Sequence, residues 1–91
     1  VATGRTETGE HDVVLLTREG CSACGTALEV LRGICGEFGL TPRVIDVDLA
    51  AADDPELRAE YGDRLPVVLL DGEEHSYWTV DTARLSADLG R

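Results

Sequence analysis

The segment Val13-Val14-Leu15-Leu16-Thr17-Arg18-Glu19-Gly20-Cys21-Ser22-Ala23-Cys24 joins an uninterrupted apolar run to two thiols separated by two residues. Val13 to Leu16 reads as a strand buried on both faces, of the kind found in parallel sheets. Beyond the pair, Cys24, Leu28, Leu31, Cys35 and Phe38 recur at alternating steps of four and three, and Ala27, Val30 and Ile34 widen the same stripe. That spacing predicts an amphipathic helix, ended by Gly36 and Gly39. The cysteines therefore fall where a strand turns into a helix. Two thiols at this spacing can close a small disulfide and reopen it, and a helix N-terminus favours thiolate over thiol. Thiol–disulfide exchange is the leading chemistry of the motif.

A Cys-x-x-Cys pair also occurs as half of a zinc site or as a structural bridge. Zinc requires four ligands, usually including a second close pair, whereas Cys35, His11 and His75 are scattered singly along the chain. A bridge across so short a loop restrains little of the unfolded chain. Cys35 follows Cys24 by three helical turns on the same face, about 16 Å along the axis. It is expected to be a buried structural cysteine. His11 and His75 have no cysteine or carboxylate at a telling spacing and read as surface or packing residues.

Working outward, Thr41-Pro42 punctuates the chain and Arg43 to Asp48 alternates as a second strand. Strand, helix, strand implies a right-handed βαβ unit with parallel strands. Asp54-Pro55-Glu56 opens a short helix, with Asp54 as N-cap, Pro55 at the first helical position, and Leu57 and Tyr61 on one apolar face. Gly62 closes it. Val67 to Leu70 and Glu74 to Trp78 flank Asp71-Gly72, the favoured residues of a tight hairpin. Asp81 then caps a last helix that carries Ala83, Leu85 and Leu89 inward. The expected architecture is α/β, in the order β-α-β-α-β-β-α, with a four-stranded mixed sheet in strand order 2-1-3-4 and helices on both faces.

The chain has 91 residues, 43% of them hydrophobic, enough for one small core. Residues 1–11 are mostly polar, glycine or threonine and read as a flexible N-terminal arm ahead of a single domain over 12–91. Three cysteines, two of them in one motif, differ from the even disulfide frameworks of small secreted proteins. A reducing, cytoplasmic setting is expected, and a monomer. Eight arginines, no lysine and eighteen acidic residues give a net charge of −10, which disfavours nucleic acid and anionic membranes as partners. No apolar stretch approaches the length needed to span a bilayer.

Cys21-Ser22-Ala23-Cys24 after the first strand, Leu65-Pro66 immediately before a later strand, and the Asp71-Gly72 hairpin leading to a last helix together resemble the thioredoxin superfamily over residues 13–89. Among its members the chain looks most like the glutaredoxins and their small bacterial glutaredoxin-like relatives. The resemblance implies a thioredoxin-like fold with Cys21 and Cys24 as the catalytic pair, and a cis peptide bond at Pro66 facing the reactive thiol. Backbone groups of Leu65, outside the sheet pairing, would then bond an extended partner chain. Arg18, three residues before Cys21, matches a basic residue that many glutaredoxins carry; Glu19 beside it acts in the opposite sense. Leu65, Pro66 and Arg18 are thereby the expected substrate-binding residues. The resemblance further implies no bound cofactor, disulfide-containing proteins or small thiols as substrates, and recharging by a reductase or a low-molecular-weight thiol such as glutathione or an analogue.

The sequence also departs from the family's pattern. Where glutaredoxins commonly have a paired-glycine and acidic segment that helps hold glutathione, this chain has Trp78-Thr79-Val80-Asp81-Thr82, in which only Asp81 can stand in. Gly20 and Ser22-Ala23 occupy the places of the Trp and the Gly-Pro of thioredoxins. Two other readings share the motif. One is a non-enzymatic thioredoxin-fold module that binds a protein through the groove by Pro66. The other is a glutaredoxin-like protein with Cys21 as one ligand of an iron–sulfur cluster shared between two chains.

Overall fold

The computed structural model describes residues 11–90, so the expected arm, His11 excepted, lies outside the described residues. The elements are β1 (Val13–Thr17), α1 (Ser22–Glu37), β2 (Arg43–Asp46), α2 (Val47–Ala50), α3 (Pro55–Tyr61), β3 (Val67–Leu70), β4 (Glu73–Tyr77) and α4 (Thr82–Leu89). They form one four-stranded sheet in the order β2-β1-β3-β4. β1 runs parallel to β2, with Leu15 opposite Val44, and antiparallel to β3, with Leu15 opposite Val68. This is the thioredoxin-like architecture expected from the sequence.

The apolar run of β1 is explained by two cores, one on each side of the sheet. Val13 and Leu15 pack with Ala27, Leu31 and Cys35 of α1 and with Leu85 and Leu89 of α4. Val14 and Leu16 face the other way, against Val47 and Val67, with Leu57, Tyr61 and Leu65 packed around them. Alternation is hidden because both faces are covered.

Four details differ from expectation, each for a local reason. β2 stops at Asp46, whose carboxylate accepts the N–H groups of Asp48 (2.8 Å) and Leu49 (3.1 Å) and so caps the single turn α2. The stripe on α1 is narrower than its apolar residues suggest, since Val30 and Phe38 are exposed. Asp54 occupies the cap position of α3 without a side-chain capping bond. Ala83 of α4 is exposed, and Leu85 and Leu89 alone carry its buried face.

Helix α1 ends as its glycines predict. Gly39 adopts φ +73, the Leu40 N–H returns to the Cys35 carbonyl at 2.9 Å, and the Gly39 N–H returns to Gly36 at 3.2 Å, a Schellman cap. At the hairpin, Asp71 and Gly72 both have positive φ, as a type I′ turn requires.

The hairpin contains one irregularity. Leu69 pairs with Glu74 and Val68 with Ser76, so His75 is an extra residue bulged into the interior. Its Nε2 lies 2.8 Å from the Asp88 carboxylate on α4, and Arg84 bonds its carbonyl oxygen. His11 likewise finds Asp71, at 2.7 Å. Both histidines thus have the carboxylate partners that sequence spacing did not reveal. Among the described residues, no helix is long and apolar enough to cross a membrane.

Candidate redox site

The registers gather the expected site residues at one end of the sheet. Thr17 of β1 is opposite Asp46, Leu16 is opposite Val67, and Val67 is in turn opposite Tyr77. The loop to Cys21, the turn α2, the Leu65-Pro66 step and Trp78 therefore all leave the sheet on the same side.

Gly20 makes the turn into the helix with φ +84, a conformation that L-residues seldom adopt. Cys21 is the N-cap residue of α1, with φ −90 and ψ 103, and its Sγ accepts the Cys24 N–H at 3.2 Å. The sulfur thus stands where a Ser or Asp oxygen ordinarily caps a helix. The loop is fastened from behind by the Cys21 N–H, which donates to the Arg18 carbonyl at 3.2 Å. No acidic side chain enters the first turn of α1.

Both members of the pair are free thiols, in contrasting surroundings. Cys21 is half-buried, whereas Cys24 is 5% exposed. Burial, and then the hydrogen bond with Cys21, push the Cys24 thiol up to about 11. Cys24 is consequently neutral at physiological pH. Cys35 is sealed in the core at 0% exposure, and burial raises its thiol too.

The Arg18 guanidinium grips Asp48 at two points, Nε to Oδ2 at 2.7 Å and Nη2 to Oδ1 at 3.1 Å. Arg58 reaches the same carboxylate at 3.5 Å. The hydrogen bond from Arg18 holds the Asp48 carboxyl below its usual range. Gly62 allows this close assembly, since a Cβ there would come within 2.5 Å of the Arg58 carbonyl and 3.5 Å of Arg18 Nη2. Asp48 went unread as a site residue because it sits within a run that alternates like a strand.

The Leu65-Pro66 peptide bond is cis, as the resemblance implies. Pro66 is buried, and both residues precede the first ladder pair of β3. The Pro66 carbonyl accepts the Trp78 N–H at 2.7 Å. Trp78 does not continue β4 but adopts φ +68, is 61% exposed and meets the Tyr77 ring edge-on at 5.0 Å. With Thr79 and Val80 it forms one wall of a cleft of about 320 Å³, the other wall being Ala23, Thr26, Ala27 and Val30 of α1. One of its lining residues, Ala23, lies between the two cysteines in the chain. Among the described residues, no three His, Cys, Asp or Glu side chains converge as a metal-ion site.

Comparison with known proteins agrees with this geometry. The sequence profile of the glutaredoxin-like domain (DUF836) matches residues 12–90. The uncharacterized protein Rv0508 of Mycobacterium tuberculosis is 58% identical over 80 residues, which cover 87% of this chain and 82% of that protein. Among solved structures, the solution structure of Ne2328 from Nitrosomonas europaea superposes with a TM-score of 0.71 at 25% identity, covering 85% of this chain and 88% of that one. The X-ray structure of XcR50 from X. campestris gives 0.63 at 30% identity, with 86% and 95% covered. A mutant thioredoxin from Halobacterium salinarum shares the fold alone, with a TM-score of 0.55 at 22% identity over 90% of this chain and 74% of that one. On a profile match that runs from the start of the domain to the end of its last helix, the chain belongs to the glutaredoxin-like (DUF836) family of the thioredoxin superfamily.

Proposed function

We propose that the protein is a thiol–disulfide oxidoreductase that reduces protein or low-molecular-weight mixed disulfides through Cys21 and Cys24. The observation that carries this reading is the division within the pair: a half-buried sulfur at the helix cap, next to a buried thiol that stays protonated. Cys21, as thiolate, attacks one sulfur of a substrate disulfide and displaces the other as a thiolate, which takes up a proton. Cys24 then loses its proton and attacks the Cys21 sulfur, releasing the second substrate thiol. Two electrons pass to the substrate, and the protein is left with a Cys21–Cys24 disulfide. A low-molecular-weight thiol, glutathione or an analogue, or a reductase restores the dithiol in a reducing compartment.

Leu65 and Pro66 are assigned to the partner chain, because the ladder of β3 begins only at Val67. Arg18 holds the loop carrying Cys21 and is assigned a positioning role through its clamp on Asp48. The test uses a mixed-disulfide reporter with a panel of thiols and reductases. Cys24→Ser should accumulate a mixed disulfide with the substrate, and Cys21→Ser should show no exchange. If the wild type exchanges no faster than the variant lacking both thiols under every reductant, the fold serves as a binding module.

A further inference from the structure

We infer that the cleft between α1 and the Trp78–Val80 segment receives an apolar side chain of the substrate, so that the substrate is a polypeptide disulfide with an aliphatic or aromatic residue close to its cysteine and basic residues beside it. This deepens the oxidoreductase reading and rests on it. Ala23, between Cys21 and Cys24 in the chain, lines the cleft, so a chain joined to Cys21 through sulfur reaches it within a few residues.

The lining is made of methyl groups, threonine side chains and the indole of Trp78, with no charged side chain. A γ-glutamyl tripeptide carries two carboxylates and an ammonium, and burying these against such walls costs more than they recover. The acid that could stand in for the missing segment, Asp81, accepts the Arg84 N–H at 3.2 Å and faces its guanidinium at 3.7 Å. An apolar side chain suits the walls.

Trp78 is built as an anchor. It is 61% exposed, its backbone N–H is tied to the Pro66 carbonyl and its ring meets Tyr77 edge-on, so its backbone is fixed and part of its side-chain freedom is already restricted before binding. Leu49, 78% exposed on α2, presents a second apolar group at the same end of the sheet. Exposed aromatic and aliphatic groups beside a polar reaction centre suit a protein-binding surface; Val30, Tyr77 and Trp78 lie at or beside the cleft, while Phe38 and Val44 are exposed elsewhere. The charge of −10 selects for basic flanks in the partner.

The test compares three adducts of one small alkyl thiol: an Arg-flanked cysteine peptide with Leu near the cysteine, the same peptide with Gly instead, and glutathione. The Leu peptide should be reduced with a kcat/KM on the order of tenfold above that of the Gly peptide, and Trp78→Ala or Val30→Ser should bring that ratio close to one. Val44→Thr, on the far edge strand, should leave the ratio as it is. Equal rates for the two peptides, or faster reduction of the glutathione adduct, would overturn the cleft assignment while leaving the oxidoreductase reading standing. Should no disulfide be reduced at all, that reading falls, and the cleft is judged separately by loading each thiol onto Cys21 of Cys24→Ser through an activated pyridyl disulfide. Trp78 is the only tryptophan of the chain, so its emission should shift to the blue with the Leu peptide alone, and identical spectra for the three adducts would refute the assignment.

Discussion

The two ends of α1 carry the same side chain into opposite circumstances. At its start, Cys21 caps the helix from a glycine turn and Cys24 lies one turn in, just below the surface. Near its end, Cys35 is fully enclosed by β1, β3 and α4, and its carbonyl receives the Schellman cap. The side chain is the same at both ends of this helix, and what differs is its depth and which backbone donors remain unpaired around it, the two factors on which thiol reactivity depends. A cysteine at a helix start meets N–H groups in need of an acceptor; one in the last turn meets carbonyls, which can accept from a thiol but give a thiolate no donor.

The sharpest way to break this contrast is to remove one thiol at a time. Cys21→Ser should lower disulfide exchange by at least about a thousandfold, since no other group can supply the attacking sulfur. Cys35→Ser should leave exchange nearly as in the wild type, and any large loss there would mean that burial is not what separates the two ends. Next in size is the pH dependence of alkylation. Because the Cys24 thiol titrates at about 11, its thiolate fraction and its labelling rate should rise roughly a hundredfold between pH 8 and pH 10. Mass spectrometry of iodoacetamide-treated protein should find Cys21 modified first at pH 8; faster labelling of Cys24 would reverse the roles.

A smaller effect is expected from packing. Cys35→Ala removes a fully buried sulfur and should cost about 1–2 kcal/mol in denaturant titrations, with exchange retained. Smallest is the acid response of the clamp behind the active loop. Arg18 holds the Asp48 carboxyl below its ordinary value of 3.8, so this contribution to stability is present above that value and fades as the pH falls through the lowered one. Asp48→Asn should therefore melt earlier than the wild type at neutral pH, and the two melting curves should converge in strong acid. Parallel profiles down to pH 2 would show that the ion pair contributes nothing.

Features set by near neighbours in the chain were legible from residues alone. Two-sided burial of Val13 to Leu16, the positive-φ turn at Asp71-Gly72 and the glycine end of α1 all follow from local pattern. The Cys-x-x-Cys position followed from the switch of period around it. Features set by pairing across the fold were not. The alternation of Arg43 to Asp48 concealed the capping strength of Asp46, and the clamp between Arg18 and Asp48 joins residues thirty positions apart. Val30 reads as core by helical spacing, yet it lies outside the buried cluster that α1 forms with the sheet and α4, and its flank lines the cleft. Trp78 reads as a strand residue until the bulge at His75 and its own backbone turn place it outside the sheet.

That bulge also bears on how the molecule survives at high concentration. Among the described residues β4 is an open border of the sheet, and an open border offers its free amide and carbonyl groups to any passing extended chain. A protein that reduces other polypeptides, as proposed for this one, would meet such chains constantly. The extra residue interrupts the regular row of donors halfway along β4, beside Glu73 and beside Glu74, whose carboxylate Arg64 holds at 3.0 Å. Stacking of one copy on another through this border is thereby discouraged, which leaves β2, at the opposite border of the sheet, as the more regular edge.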